Sequence, residues 1–93
     1  MIVLNLYYKF STDCKNEFLE EIFDLGISQK TREEDGCIEY NFYSSFDANE
    51  ILLVEKWRDA AALDEHKKQE HLKQLIGLKE KYSIETVCNS YEA

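Results

Sequence analysis

Ile2, Leu4, Leu6, Tyr8 and Phe10 alternate with Val3, Asn5, Tyr7 and Lys9. A period of two is the signature of a strand, here with one wholly apolar face and one mixed face. Ser11, Thr12 or Asp13 supplies a helix cap. Behind it, Phe18, Leu19, Ile22, Phe23 and Leu25 recur at helical spacing, with Glu17, Glu20, Glu21 and Asp24 between them. The pattern predicts an amphipathic helix that fades across Lys30–Asp35, and Gly36 turns the chain into the next element. Cys37–Phe46 is aromatic-rich and strand-like, Asp47–Glu50 reads as a hairpin turn, and Ile51–Trp57 is its partner strand. Ile51, Leu53, Glu55 and Trp57 share one face of that strand; Leu52, Val54, Lys56 and Arg58 share the other. Asp59 can cap a helix that carries Ala60 to Leu63 and reaches His66. A second helical segment holds Leu72, Leu75, Ile76 and Leu78 and is weakened by Gly77; Tyr82–Tyr91 reads as a last strand.

The order β-α-β-β-α-(α)-β defines an α+β fold of the ferredoxin-like kind, a four-stranded antiparallel sheet with helices on one face. The other face is then expected to present Val3, Tyr7, Trp57 and several aromatics of the second strand. So apolar a patch is a poor surface to leave in water. A second copy packed sheet to sheet would cover it, which predicts a homodimer with a pocket between sheet and helices.

Composition narrows the class. Residues 1–93 are one domain's worth of chain, and 44% hydrophobic with 13% aromatic residues is a globular composition. A net charge of −8 argues against nucleic acid and against an anionic membrane surface as partners. The apolar runs are far too short to span a membrane, and the N-terminus has no basic region ahead of its apolar run. Cys14, Cys37 and Cys88 form no C-x-x-C pair, which fits reduced thiols in a cytoplasmic protein. No dinucleotide glycine pattern, phosphate loop or serine-nucleophile elbow occurs, so no nucleotide or flavin cofactor is expected.

The stretch "EEDGCIEYNFYSSFDANEILLVEKWRDAAALDEHKKQEHLKQL" resembles the antibiotic biosynthesis monooxygenase (ABM) family, including its quinol-monooxygenase-like members. The resemblance rests on Gly36, Cys37 and Tyr40, on Asp47, on Glu55 and Trp57, on Leu63 and His66, and on Glu70 and His71. It implies a dimeric α+β barrel with a ligand pocket in each subunit. Members of the family include cofactor-free oxygenases of phenolic polyketides or quinols; others degrade haem, isomerise small signalling metabolites or have no known activity. Here "FSTDCKNE" replaces the family's x-P-G-x segment, and His66 stands roughly where the haem-degrading branch has its Trp, which speaks against haem.

Several residues carry possible chemistry. His66 shares the inward face of its helix with Ala62 and Leu63; as neutral imidazole it can take a proton from a phenol, or it can be tied to Glu55 or a backbone carbonyl. Trp57 and Glu55 share a strand face, either as aromatic wall and orienting carboxylate or as core Trp and ion-paired Glu. Asn5 can hold a ligand oxygen or a neighbouring backbone group. Tyr40 and Tyr43 have opposite parity, so one at most faces the pocket; alternation groups Tyr40 with Ile38 and Phe42. His71 lies five residues beyond His66, off its face on a continuous helix, so H-x4-H is a poor metal pair, no metal site is expected, and His71 is read as solvated or at a pocket rim. Glu33-Glu34-Asp35 reads as a solvated loop. The expected function is cofactor-independent monooxygenation of a phenolic or quinol-type molecule, with His66 as base, Asn5 and Tyr40 on substrate oxygens, Trp57 as wall and Glu55 beside it. The alternatives are a non-catalytic dimeric domain that binds a small ligand, or an isomerase or haem-degrading member of the same fold.

Overall fold

A computed structural model describes all residues, 1–93. The chain runs β1 (Ile2–Lys9), α1 (Lys15–Asp24), α2 (Ile27–Arg32), β2 (Cys37–Ser44), β3 (Glu50–Trp57), α3 (Ala60–His66), α4 (Glu70–Lys81) and β4 (Glu85–Glu92). The four strands form one antiparallel sheet in the order β2-β3-β1-β4. The α+β ferredoxin-like arrangement expected from the alternation is the one observed. The helices lie on one face of the sheet.

Strand parity decides what they cover. Tyr8, Tyr40, Ile51 and Leu53 pack with Phe18, Ile22, Ile27, Leu75 and Leu78 in one buried cluster. Glu55 and Trp57 share the parity of Ile51 and Leu53, and Trp57 is fully buried. Trp57 therefore faces the helices, whereas the sequence reading placed it on the uncovered side. The uncovered side carries Val3, Asn5, Tyr7, Leu52, Val54, Tyr43, Val87 and Tyr91, the last three of them exposed.

Three further details depart from the pattern. A β-bulge between Cys37 and Glu39 sets Cys37 opposite Trp57 and leaves Ile38 unpaired and 55% exposed, so Ile38 does not share Tyr40's face. The first helix is two helices: Gly26 adopts a left-handed φ of 66°, the chain bends there, and Phe23 is left in solvent. Tyr82 ends α4 instead of opening β4, and Ser83 makes the turn with φ 52°. No helix is long and apolar enough to cross a membrane.

Candidate active site

The candidate site is built where the turn before β2 meets the helices after β3. Gly36 has φ 85°, and a Cβ there would stand 2.5 Å from the Ala62 Cβ, so the turn lies directly against α3. The Arg58 backbone N–H donates to the Gly36 carbonyl at 2.8 Å, and the Arg58 guanidinium pairs with Asp35 and Asp59. These contacts fix the position of Glu34. Asp59 caps α3 by accepting from the Ala62 N–H at 2.9 Å, which aims His66 at the sheet. Gln69 is extended, with φ −76° and ψ 144°, so the chain bends before α4 and His71 enters on its first turn.

That bend brings the two histidines together. His66 Nδ1 lies 2.8 Å and His71 Nε2 2.6 Å from the same oxygen, Oε2 of Glu34. The three side chains are 4%, 10% and 11% exposed respectively. Glu33 and Asp35 are exposed as the acidic run suggests, but the Glu34 side chain turns inward; His71 sits at a helix start as expected, yet it is buried instead of solvated. An unbroken helix would have separated residues five apart; the two helical segments expected from the sequence meet at Lys67-Lys68-Gln69, which has no apolar member. A carboxylate oxygen only accepts, so with Glu34 ionised the proton sits on Nδ1 of His66 and on Nε2 of His71.

The other side of His66 faces the strands. Its ring stacks on Trp57 at 4.6 Å, tilted 32°, and meets the edge of Tyr40 at 6.1 Å. Nε2 stands 3.9 Å from Glu55 Oε1, too far for a hydrogen bond. Glu55 accepts from the Trp57 indole N–H at 3.0 Å. Burial raises the Glu55 pKa, against the Trp57 hydrogen bond and the nearby His66, which lower it. No Lys or Arg forms an ion pair with Glu55. Tyr40 is paired with Glu55 across the sheet. Its hydroxyl has no hydrogen-bond partner of normal geometry, and burial raises its pKa well above the usual value.

Thus His66, Tyr40, Glu55 and Trp57 come together, joined by Glu34 and His71, which the sequence reading left out. Asn5 does not join them. It pairs with Val54 and Asn89 on the uncovered face, the opposite side of the sheet. Two grooves flank the cluster. One, about 490 Å³, lies between α1, α2 and β2, with Leu19, Ile22, Phe23, Arg32 and Phe42 in its wall. The other, about 480 Å³, is lined by Glu34, Asp35, Arg58, Ala61, Ala62, Glu65 and Gln69. Neither is lined by His66, Tyr40, Glu55 or Trp57.

Fold and cluster together define a small α+β protein with a buried acid–base array between sheet and helices. The family model described as "Antibiotic biosynthesis monooxygenase" matches residues 1–77. The chain belongs to this family. The Bacillus subtilis protein named "Putative monooxygenase YcnE" is 32% identical over 77 residues, 82% of this chain and 79% of that one. "Putative monooxygenase Rv0793" of Mycobacterium tuberculosis is 49% identical over 53 residues, 57% of this chain; the matched stretch spans about half of that protein, 52%. A solved structure from Nitrosomonas europaea, titled "Putative antibiotic biosynthesis monooxygenase", superposes with a TM-score of 0.88 at 18% identity, covering 100% of this chain and 98% of that one. At that identity the superposition speaks for the fold alone.

Proposed function

We propose that this protein is a cofactor-independent monooxygenase that oxidises an electron-rich phenol or hydroquinone with O2, with His66 as the base. One observation carries the reading. Glu34 occupies Nδ1 of His66, while Nε2 has no hydrogen-bond partner in a dry, aromatic surround. An imidazole held in that tautomer is ready to accept a proton. The phenolate formed is electron-rich enough to reduce O2 itself. The balance for a hydroquinone is one substrate and one O2 giving one hydroxyquinone and one water, so the substrate supplies all the electrons. The Tyr40 hydroxyl, unpartnered and buried, would donate to the developing oxyanion; Trp57 would wall the ring, and Glu55 would orient Trp57.

Entry has to pass the aromatic edge. Phe42, in the wall of the apolar groove, packs on Tyr40 at 5.6 Å, and Tyr40 packs on His66. The proposed route is from that groove past Phe42 and Tyr40. The family names of the relatives support a monooxygenase; the phenolic substrate rests on the acid–base argument alone. The proposed assembly is a homodimer closed over the uncovered sheet face, which makes Asn5 an interface residue.

A second reading is favoured by a specific observation: His66 lines neither groove. A dimeric domain that binds a small aromatic ligand in the 490 Å³ groove without turning it over would look the same. O2 uptake on a panel of hydroquinones and phenols separates the two. The monooxygenase consumes O2 with substrate, and its product has gained one oxygen and lost two hydrogens by mass spectrometry. Saturable binding with no O2 uptake across the panel overturns the oxygenase in favour of the binding domain.

A further inference from the structure

We propose that Glu34, His66 and His71 form a site for one first-row divalent metal ion, with a carboxylate oxygen and two imidazole nitrogens as ligands. One ligand atom from each of Glu34, His66 and His71 lies within 4.8 Å of the other two, and Glu34 Oε2 contacts both His66 Nδ1 and His71 Nε2. They come from three separate places in the chain: the turn before β2, the end of α3 and the first turn of α4. Two neutral imidazoles and a carboxylate form a donor set that suits zinc and its neighbours in the row. Bonds of roughly 2.0–2.2 Å in a tetrahedron set ligand atoms about 3.3 Å apart. The present N···O contacts are 2.8 and 2.6 Å, so an ion would replace the two bridging protons and widen each contact by roughly half an ångström.

Three features around the ligands favour an ion over protons alone. The first is behind His66. With metal on Nδ1 the ring proton moves to Nε2, which faces the Glu55 carboxyl at 3.9 Å, and Trp57 already orients that carboxyl. A metal-bound imidazole backed by a carboxylate is the usual outer-shell arrangement. The second is charge. Glu34 and Glu55, 11% and 7% exposed, flank His66, and neither has a Lys or Arg ion pair. Their ion-pair partners are the two histidines, with the Lys79 ammonium acting on Glu55 only from a distance, and a dication would add the positive charge they lack at close range. The third is access. The 480 Å³ groove reaches Glu34 from outside and includes Asp35 and Glu65 in its wall, which leaves room for water as a further ligand.

The site goes beyond the proposed reaction and competes with it. A metal on Nδ1 puts a proton on Nε2, so a loaded His66 cannot accept one from substrate. Binding is nevertheless measured without substrate, so failure of either proposal is visible independently of the other.

The test is titration of the chelator-treated protein with zinc chloride by calorimetry, and with cobalt(II) chloride by visible absorption. It is joined by long-range 15N NMR of the imidazoles, which is simple to assign because the chain has two histidines. The expected result is one ion per chain, attached at Nδ1 of His66 and Nε2 of His71. Glu34→Gln should weaken binding by more than about tenfold, and replacing all three cysteines by Ser should leave it unchanged. The NMR assignment needs no variant, so a variant that fails to fold does not spoil the test. Absence of saturable one-to-one binding, attachment at any other nitrogen, equal affinity in Glu34→Gln, or loss of binding with the cysteines would overturn the site.

Discussion

Trp57 and Tyr40 share the wall around His66 but differ in what their polar atoms do. The Trp57 indole is fully buried, stacked on His66, and its N–H is spent on Glu55. Trp57→Ala removes that volume and leaves a buried carboxyl without its donor. It should cost about 3–5 kcal/mol, a large part of the ~5–15 kcal/mol that holds a domain folded. Thermal or denaturant melting checks this; a normal melt would place Trp57 outside the core. The Tyr40 hydroxyl is buried beside Thr31 but makes no hydrogen bond of normal geometry, so Tyr40→Phe should melt unchanged or up to ~1 kcal/mol higher while slowing the proposed oxidation. A destabilised Tyr40→Phe would mean that the hydroxyl has a structural partner. Candidate identity was legible from sequence for His66, Trp57, Glu55 and Tyr40, although Trp57 was set on the uncovered face and alternation left open whether Tyr40 or Tyr43 turns inward. It was not legible for Glu34, because a run of acids normally points outward and only the tertiary placement of the Gly36 turn brings one in.

At the scale of elements, the turn at Gly36 and the bend at Gln69 assemble the site. Gly36 stands in the left-handed region with no room for a side chain against Ala62. Gly36→Ala should therefore destabilise by more than about 1 kcal/mol through its φ alone, with overlap adding to it. Combined with Ala62→Gly, the double variant should lose less than the sum of the two single losses, since the overlap is relieved. Strict additivity in melting experiments would show that the turn does not press on α3. The strands and most of the helical spans could be read because periods of two and of three to four are properties of the local sequence. Two things could not. The bulge at Ile38 flips parity without a glycine at that position to announce it, and the left-handed turn at Gly26 splits the first helix between apolar Leu25 and Ile27 without interrupting the apolar run.

For the whole molecule, the sheet buries one face under helices and leaves Val3, Tyr7, Leu52 and Val54 on the other, beside exposed Tyr43, Val87 and Tyr91. All four helices of these 93 residues lie on the covered face. The expected assembly is a homodimer that buries at least about 1,000 Å² through this face. Light scattering should give twice the chain mass at micromolar concentration, and a Leu52→Glu or Val54→Glu substitution should shift it towards monomer. A monomer with native circular dichroism would contradict this. The face was legible as apolar from the alternation, but not its membership. Trp57 belongs to the covered side, because the register ties it to Ile2 and to the parity of buried Leu53 and Ile51.

The central claim is that His66, held by Glu34, takes the proton that starts oxidation, and O2 consumption by His66→Ala tests it most directly. The comparison uses the hydroquinone that the parent turns over fastest, with circular dichroism and light scattering to confirm that the variant has the parent's fold and mass. Loss of one positioned acid–base group should slow uptake by roughly 10²–10⁴-fold. Uptake at the parent's rate in the folded variant would contradict the account.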